Sequence, residues 1–228
     1  MVDWERNWRG NGVIAAVLFI VAYLIYGSQP KVGASAEKLA SFYDGERTRI
    51  LIASVVFGFA ILCLMWFAAA LASVLRDAEK GGWGRAATAA SAAIGAVYFV
   101  LITLWTALAY SIAGPGNEQV TSALNDLSWI LPIVASFPAA MLVMSGSFGL
   151  WRAGMFSTGP FLAGVTAMVL ILLRATTWAS DGFWAPDGAY SLYISTGIAL
   201  VWVAVVSGFL MRTYSAASAP ERAPVPAA

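Results

Sequence analysis

The sequence predicts an all-α, polytopic integral membrane bundle of six transmembrane helices, with both termini in the cytoplasm. Three observations carry this expectation. Of 228 residues, 60% are hydrophobic and only 11% are charged, where an ordinary soluble domain carries about 25% charged residues. The charges bracket six apolar intervals, and about 17–25 such residues span a hydrocarbon core of ~30 Å. The basic residues gather in alternate loops, as the positive-inside rule requires. A mean hydropathy of +0.77 excludes a disordered chain or a coiled coil. Thirteen Lys and Arg against twelve Asp and Glu leave no basic patch for nucleic acid.

Taken in order, the first span covers about 11–27, between Arg9 and Lys31. Its apolar heart, Val13–Tyr26, is short, and Ala34-Ser35-Ala36 resembles a signal-peptidase site. The apolar run ends about eight residues before that site, which is far for cleavage. The segment is read as an uncleaved helix, with a cleaved signal peptide as the alternative. The second span, about 50–75, lies between Arg49 and Arg76. The third, about 87–112, opens on the small-residue run Ala86–Ala93. The pairs Ala89/Ala93 and Ala92/Ala96 let a helix approach closely. They predict packing at the bundle centre or a contact between copies.

The fourth span, about 127–150, contains Pro132 and Pro138. Each lacks an N–H and frees a carbonyl one turn back, so a kink is expected. In a bilayer, freed carbonyls must find partners or line a polar cavity. Ser136, Ser145 and Ser147 are the nearby hydroxyls. A 3+3 division would pair the short first span with this kinked one, a pattern known in inverted-repeat transporters, although the halves share no sequence similarity. The fifth span, about 159–179, must run past Arg174 to about Ala179 to cross. The sixth covers about 189–211. Residues 1–214 thus form one domain, and the Ala- and Pro-rich segment 215–228 reads as a disordered cytoplasmic tail.

Orientation follows from Arg76, Lys80 and Arg85 after span two, Arg152 after span four, and Arg212 and Arg222 at the end. The loops Gly114–Asp126 and Ser180–Gly188 hold no Lys or Arg. The exception is the Gly27–Thr48 loop, with Lys31, Lys38 and Arg47 on the outer side. Trp4, Trp8, Trp83 and Trp151 fall at inner boundaries and Trp129, Trp178 and Trp184 at outer ones, as an aromatic belt. Trp66, Trp105 and Trp202 lie deeper, in the core, against lipid or in a pocket wall.

Several chemistries are absent from the sequence. There is no histidine, which excludes His-ligated haem, most zinc and copper sites and Ser-His hydrolases. Cys63 is the sole cysteine and reads as a small buried hydrophobe. No glycine-rich nucleotide motif sits in a strand–turn–helix context, and no nucleophile–base pair is visible. No cofactor is expected. Asp44, Glu46, Asp181 and Asp187 lie in outer loops, where turn formation explains Asp-Gly pairs and nothing fixes a cation geometry.

Arg174 is the most informative residue. In a helix running to Ala179 it sits roughly 7 Å outside the midplane, with Trp178 and Asp181 on the same face. Asp126 opens span four, and Arg49 opens span two, on the same side. One reading makes Arg174 an anion- or headgroup-binding residue in an outer vestibule, with Asp126 or Asp181 as its counter-charge. The other is a structural ion pair locking helix ends.

Two stretches carry a resemblance. One is Tyr43-Asp44-Gly45-Glu46-Arg47-Thr48-Arg49, followed after a helix by Leu75-Arg76-Asp77-Ala78-Glu79-Lys80-Gly81-Gly82-Trp83-Gly84-Arg85. The other is Leu150-Trp151-Arg152-Ala153-Gly154-Met155-Phe156. Together, over roughly 40–175 of the chain, they resemble uncharacterised actinobacterial multi-pass membrane proteins of the domain-of-unknown-function families. In those proteins a Pro-Arg pair commonly follows the second motif, where this chain has Ser157-Thr158. The resemblance implies an actinobacterial plasma-membrane protein and brings no activity or ligand with it.

The expected function is that of a non-enzymatic accessory, scaffold or lipid-interacting membrane component. The alternative is a small-solute, lipid or ion transporter or channel with an outer-leaflet site near Arg174. Expected partners are the lipid bilayer and either a membrane-protein partner or further copies of the chain, with no nucleic acid.

Overall fold

Backbone amides withdrawn from water must bond within their own segment, and in a long apolar interval the helix does this. The computed structural model describes residues 4–217, and among them there are helices and no strand. They are α1 (Trp4–Arg9), α2 (Asn11–Tyr26), α3 (Ala36–Tyr43), α4 (Arg47–Asp77), α5 (Gly81–Ala107), α6 (Glu118–Val134), α7 (Ser136–Arg152), α8 (Thr158–Leu173) and α9 (Thr196–Ala217). Wide π turns extend α5 over Leu108–Ile112 and lead into α9 over Tyr190–Ser195, and a 3-10 turn, Arg174–Thr176, ends α8.

Five helical stretches are long and apolar enough to cross a membrane: Arg47–Asp77, Gly81–Ile112, Glu118–Arg152, Thr158–Thr176 and Tyr190–Thr213. α2 is apolar but shorter, at 16 residues, a rise of ~24 Å. It is joined to α1 through Gly10, which keeps helical dihedrals. One side of α2 buries Ala15, Phe19, Ala22 and Tyr26, while Ile14, Val17, Ile20 and Leu24 on the other are exposed and apolar. Exposed apolar faces of this kind recur on α4 (Ile52, Val55, Phe59) and α9 (Val201, Val205). A surface so rich in contiguous apolar side chains suits hydrocarbon rather than water.

The helices form a closed ring. α2 packs on α4, α4 on α5, α5 on α6 and α7, α7 on α8, α8 on α9, and α9 back on α2. At one end the ring carries α3 and the loops 27–35 and 177–189, and this is called the loop-rich end below. At the other end α2 and α9 meet closely. A Cβ on Gly12 would lie 2.7 Å from the Ser207 Cβ and 2.8 Å from the Phe67 ring. The Ser207 hydroxyl donates to the Arg9 carbonyl at 2.5 Å and accepts from the Val13 amide. One apolar cluster, around Phe67, Leu71, Leu150 and Trp202, fills the ring. A second, around Tyr26, Tyr43, Phe57 and Trp105, fills the loop-rich end beneath α3.

Four expectations change. The fifth span does not continue as helix to Ala179. It ends at Leu173 and leaves through the 3-10 turn, where the Thr177 hydroxyl caps the Arg174 carbonyl at 2.7 Å. Trp178 and Asp181 therefore do not share a helical face with Arg174. The kink in span four is a break at Ala135, three residues from each proline, where α6 gives way to α7. The Ser136 hydroxyl satisfies the Ile133 carbonyl at 2.6 Å, whereas Ser147 accepts from the Trp202 indole and Ser145 has no partner. On α5, Ala89, Ala92, Ala93 and Ala96 are all exposed. The face that packs within the bundle is instead Gly84, Ala87, Ser91, Ile94 and Gly95, which removes the bundle-centre alternative for those alanines and leaves the contact between copies. Finally, helix α9 reaches Ala217, into the segment expected to be tail, and the rest of that segment lies outside the described residues. Of the deep tryptophans, Trp66 is exposed and Trp202 is core.

Candidate functional site

The loop-rich end is organised by one face of α6. Asn125, Ser128 and Trp129 are spaced i, i+3, i+4 and so share that face. The loop after α2 lies across it. Asn125 is fully buried. Its Oδ1 accepts from the Tyr43 hydroxyl at 2.9 Å and from Gln29 Nε2 at 3.2 Å. Its Nδ2 donates to the Lys31 carbonyl at 3.3 Å. Gln29 also donates to the Ser128 hydroxyl at 2.5 Å, and the Trp129 indole donates to the Pro30 carbonyl at 2.9 Å. A buried amide satisfied on both ends fixes its neighbours strongly, because each lost bond would orphan a buried polar atom. Burial pushes the Tyr43 phenol up to about 12, against the opposing pull of its hydrogen bonds.

Asp126 belongs to this assembly. Its Oδ1 accepts from the Gly33 amide and from Asn125 Nδ2, both at 3.2 Å. It fastens a loop and makes no ion pair with Arg174. Asp181 is exposed in the 177–189 loop, also apart from Arg174. Arg49 pairs with Glu46 at 3.5 Å and lies over the Phe42 ring, with its Nε buried and unpartnered. The expected meeting of Arg174 with Asp126 or Asp181 does not occur. The physical reason is the early end of α8, which turns the chain, and Asp181 with it, away. Among the described residues no three carboxylate or thiol groups come together as a metal set.

Arg174 itself is only 7% exposed. Its Nε donates to the Ser191 hydroxyl at 2.9 Å and its Nη1 to the Thr196 hydroxyl at 3.2 Å. Ser191 and Thr196 are five residues apart, and the π turn between them, with its i to i+5 closure, sets both hydroxyls before one guanidinium. The ionisable groups that act on Arg174 are the phenols of Tyr98 and Tyr23, not carboxylates. A guanidinium has five N–H donors; the Ser191, Thr196 and Tyr98 hydroxyls engage part of this set.

Arg174 stands in the wall of two cavities. The larger, about 420 Å³, lies between α2 and α9 toward the loop-rich end. Its wall includes Phe19, Tyr23, Tyr98, Trp105 and Pro132. Ile20, Leu24 and Val201 are on its rim and are themselves exposed, so the cavity opens sideways through the ring, onto the apolar outer surface. The smaller, about 70 Å³, reaches toward Leu64, Ile94 and Leu142 in the core. Pro132 lines both, so the break in span four borders the cavities. One further polar atom on the larger wall lacks a partner, the Trp105 indole N–H, while the Tyr26 hydroxyl bonds to that of Tyr43. The Tyr26 and Trp105 rings stack at 4.0 Å.

Sequence reasoning singled out Arg174 and the prolines but missed Asn125, Gln29 and the Ser191/Thr196 pair. The polar Asn125-Asp126-Leu127-Ser128 run was the available signal for the first; expected at the start of span four, it lies within α6, which begins at Glu118. Nothing in the sequence marks a π turn. Comparison with protein-family models, with curated proteins and with solved structures gives no match.

Proposed function

We propose that this protein is a non-enzymatic, lipid-interacting protein of an actinobacterial plasma membrane, with six spans and both termini in the cytoplasm. The observation that carries the lipid reading is the laterally open cavity with Arg174 in its wall. A cation held away from water is costly unless paired. Here its protein partners are neutral hydroxyls. Apart from Gln29 and Ser128 the remaining wall is apolar and aromatic, the lining expected of a site for a largely hydrocarbon ligand. The sixth span in this reading is α2, whose packing along α4 and exposed outer face are those of its longer neighbours.

Photo-crosslinking tests the reading. The protein in nanodiscs is exposed to a phosphatidylcholine with a diazirine in its acyl chain, and adducts are mapped by mass spectrometry. Adducts on inward residues such as Phe19, Tyr98 and Leu200 are expected. Adducts confined to outward residues such as Leu62 and Val205 would contradict it. A second reading, transport, is favoured by the helix break at Ala135 beside both cavities, since broken helices border transporter sites. Solute uptake by proteoliposomes holding only this chain would move the assignment there.

A further inference from the structure

We propose that the larger cavity binds a single-chain anionic amphiphile, with its carboxylate or phosphate head on Arg174 and its chain among Phe19, Tyr98 and Leu200. The inference deepens the lipid-interacting reading and rests on it.

The head is assigned by charge. Arg174 is enclosed, and no carboxylate lies within ion-pair distance of it among the described residues. An uncharged lipid would leave that cation unbalanced, whereas an anion would convert its free N–H donors into charge-assisted hydrogen bonds. The unpartnered Trp105 N–H supplies one more donor on the same wall, and no Asp or Glu lines the cavity to repel an anion. The chain is assigned by shape and access. A volume of about 420 Å³ falls within the ~300–1,000 Å³ of small-molecule sites and suits one acyl chain. A two-chain lipid would leave its second chain outside, in the bilayer. The rim formed by Leu24 of α2 and Val201 of α9 faces that bilayer, so entry needs no passage through water.

The test uses the purified full chain in nanodiscs of neutral phosphatidylcholine, titrated with radiolabelled palmitate, oleoyl lysophosphatidate and, as the uncharged control, monoolein. Two variants are compared with wild type. Arg174→Gln removes the charge while keeping hydrogen-bonding capacity. Gly197→Phe fills the cavity, since a Cβ at Gly197 meets nothing within 4 Å. Saturable binding of palmitate, lysophosphatidate or both is expected, and whichever binds identifies the head. Arg174→Gln should weaken it by at least about tenfold, as loss of a charged hydrogen bond implies, and Gly197→Phe should abolish it. Equal binding of monoolein and both anions, untouched by Arg174→Gln, would overturn the anionic site while sparing the lipid-interacting reading. No saturable binding of any probe would overturn both. Should Arg174→Gln fail to fold, unchanged palmitate affinity in folded Gly197→Phe would overturn the proposal.

Discussion

Arg174, Asn125 and Tyr43 show how single residues set the loop-rich end. Asn125→Leu keeps volume but takes the acceptor from the buried Tyr43 hydroxyl, at a cost of about 1–3 kcal/mol. Thermal unfolding in detergent should show the loss. Tyr43 adds a pH dependence with a definite sign. Its phenol is raised from 10.0 to about 12 in the folded chain, so the fold holds that proton more tightly than the unfolded chain does. The associated stability is complete below pH 10 and lost as pH rises through 12. Melting curves across that window should fall more steeply for wild type than for Tyr43→Phe. Arg174 was visible in the sequence because a lone charge in an apolar interval stands out. Its partners were not, because Ser191 and Thr196 come together only through a turn of i to i+5 closure. Asp126 was visible too, yet it serves the loop: a carboxylate's nearest donor is set by tertiary packing, which residue order does not encode.

Among the elements, the ends and breaks of helices were harder to read than their existence. The apolar intervals located α4 through α9 because bilayer-length runs are long compared with the uncertainty at any boundary. Helix α8 stops at Leu173 because hydroxyl caps from Thr176 and Thr177 compete with continued helix, a local effect that hydropathy does not register. On α5, Ala89, Ala92, Ala93 and Ala96 lie outside and Gly84 and Gly95 inside, since both faces carry small residues and spacing alone could not separate them. A Cβ at Gly146 would lie 2.5 Å from the Trp202 ring, so α7 and α9 touch there through a hydrogen. Gly146→Val should destabilise by at least about 1–3 kcal/mol, the usual cost of overpacking, read as a lowered melting temperature. Gly58→Val, at a site with open space around the Cβ, should change little.

At the scale of the whole molecule, the ring is closed where α2 meets α9, tightly near Gly12 and Ser207 and loosely around the cavity. That asymmetry leaves a side opening at one level only. The proposed topology puts the opening in the outer half of the bilayer. A fluorescent-protein fusion at the C-terminus should then glow, and alkaline phosphatase inserted in the 177–189 loop should be active; an active phosphatase at the C-terminus would reverse the orientation. The ring closure itself was not legible in the sequence, because it depends on contacts between α2 and α9, separated by nearly the full chain. The measurement that tests the account most directly is intact-complex mass spectrometry of the protein released from native membranes. The account predicts wild-type chains carrying one anionic amphiphile each, a mass lost in Gly197→Phe. Bare wild-type chains, or a second protein at fixed stoichiometry in place of the lipid, would contradict it.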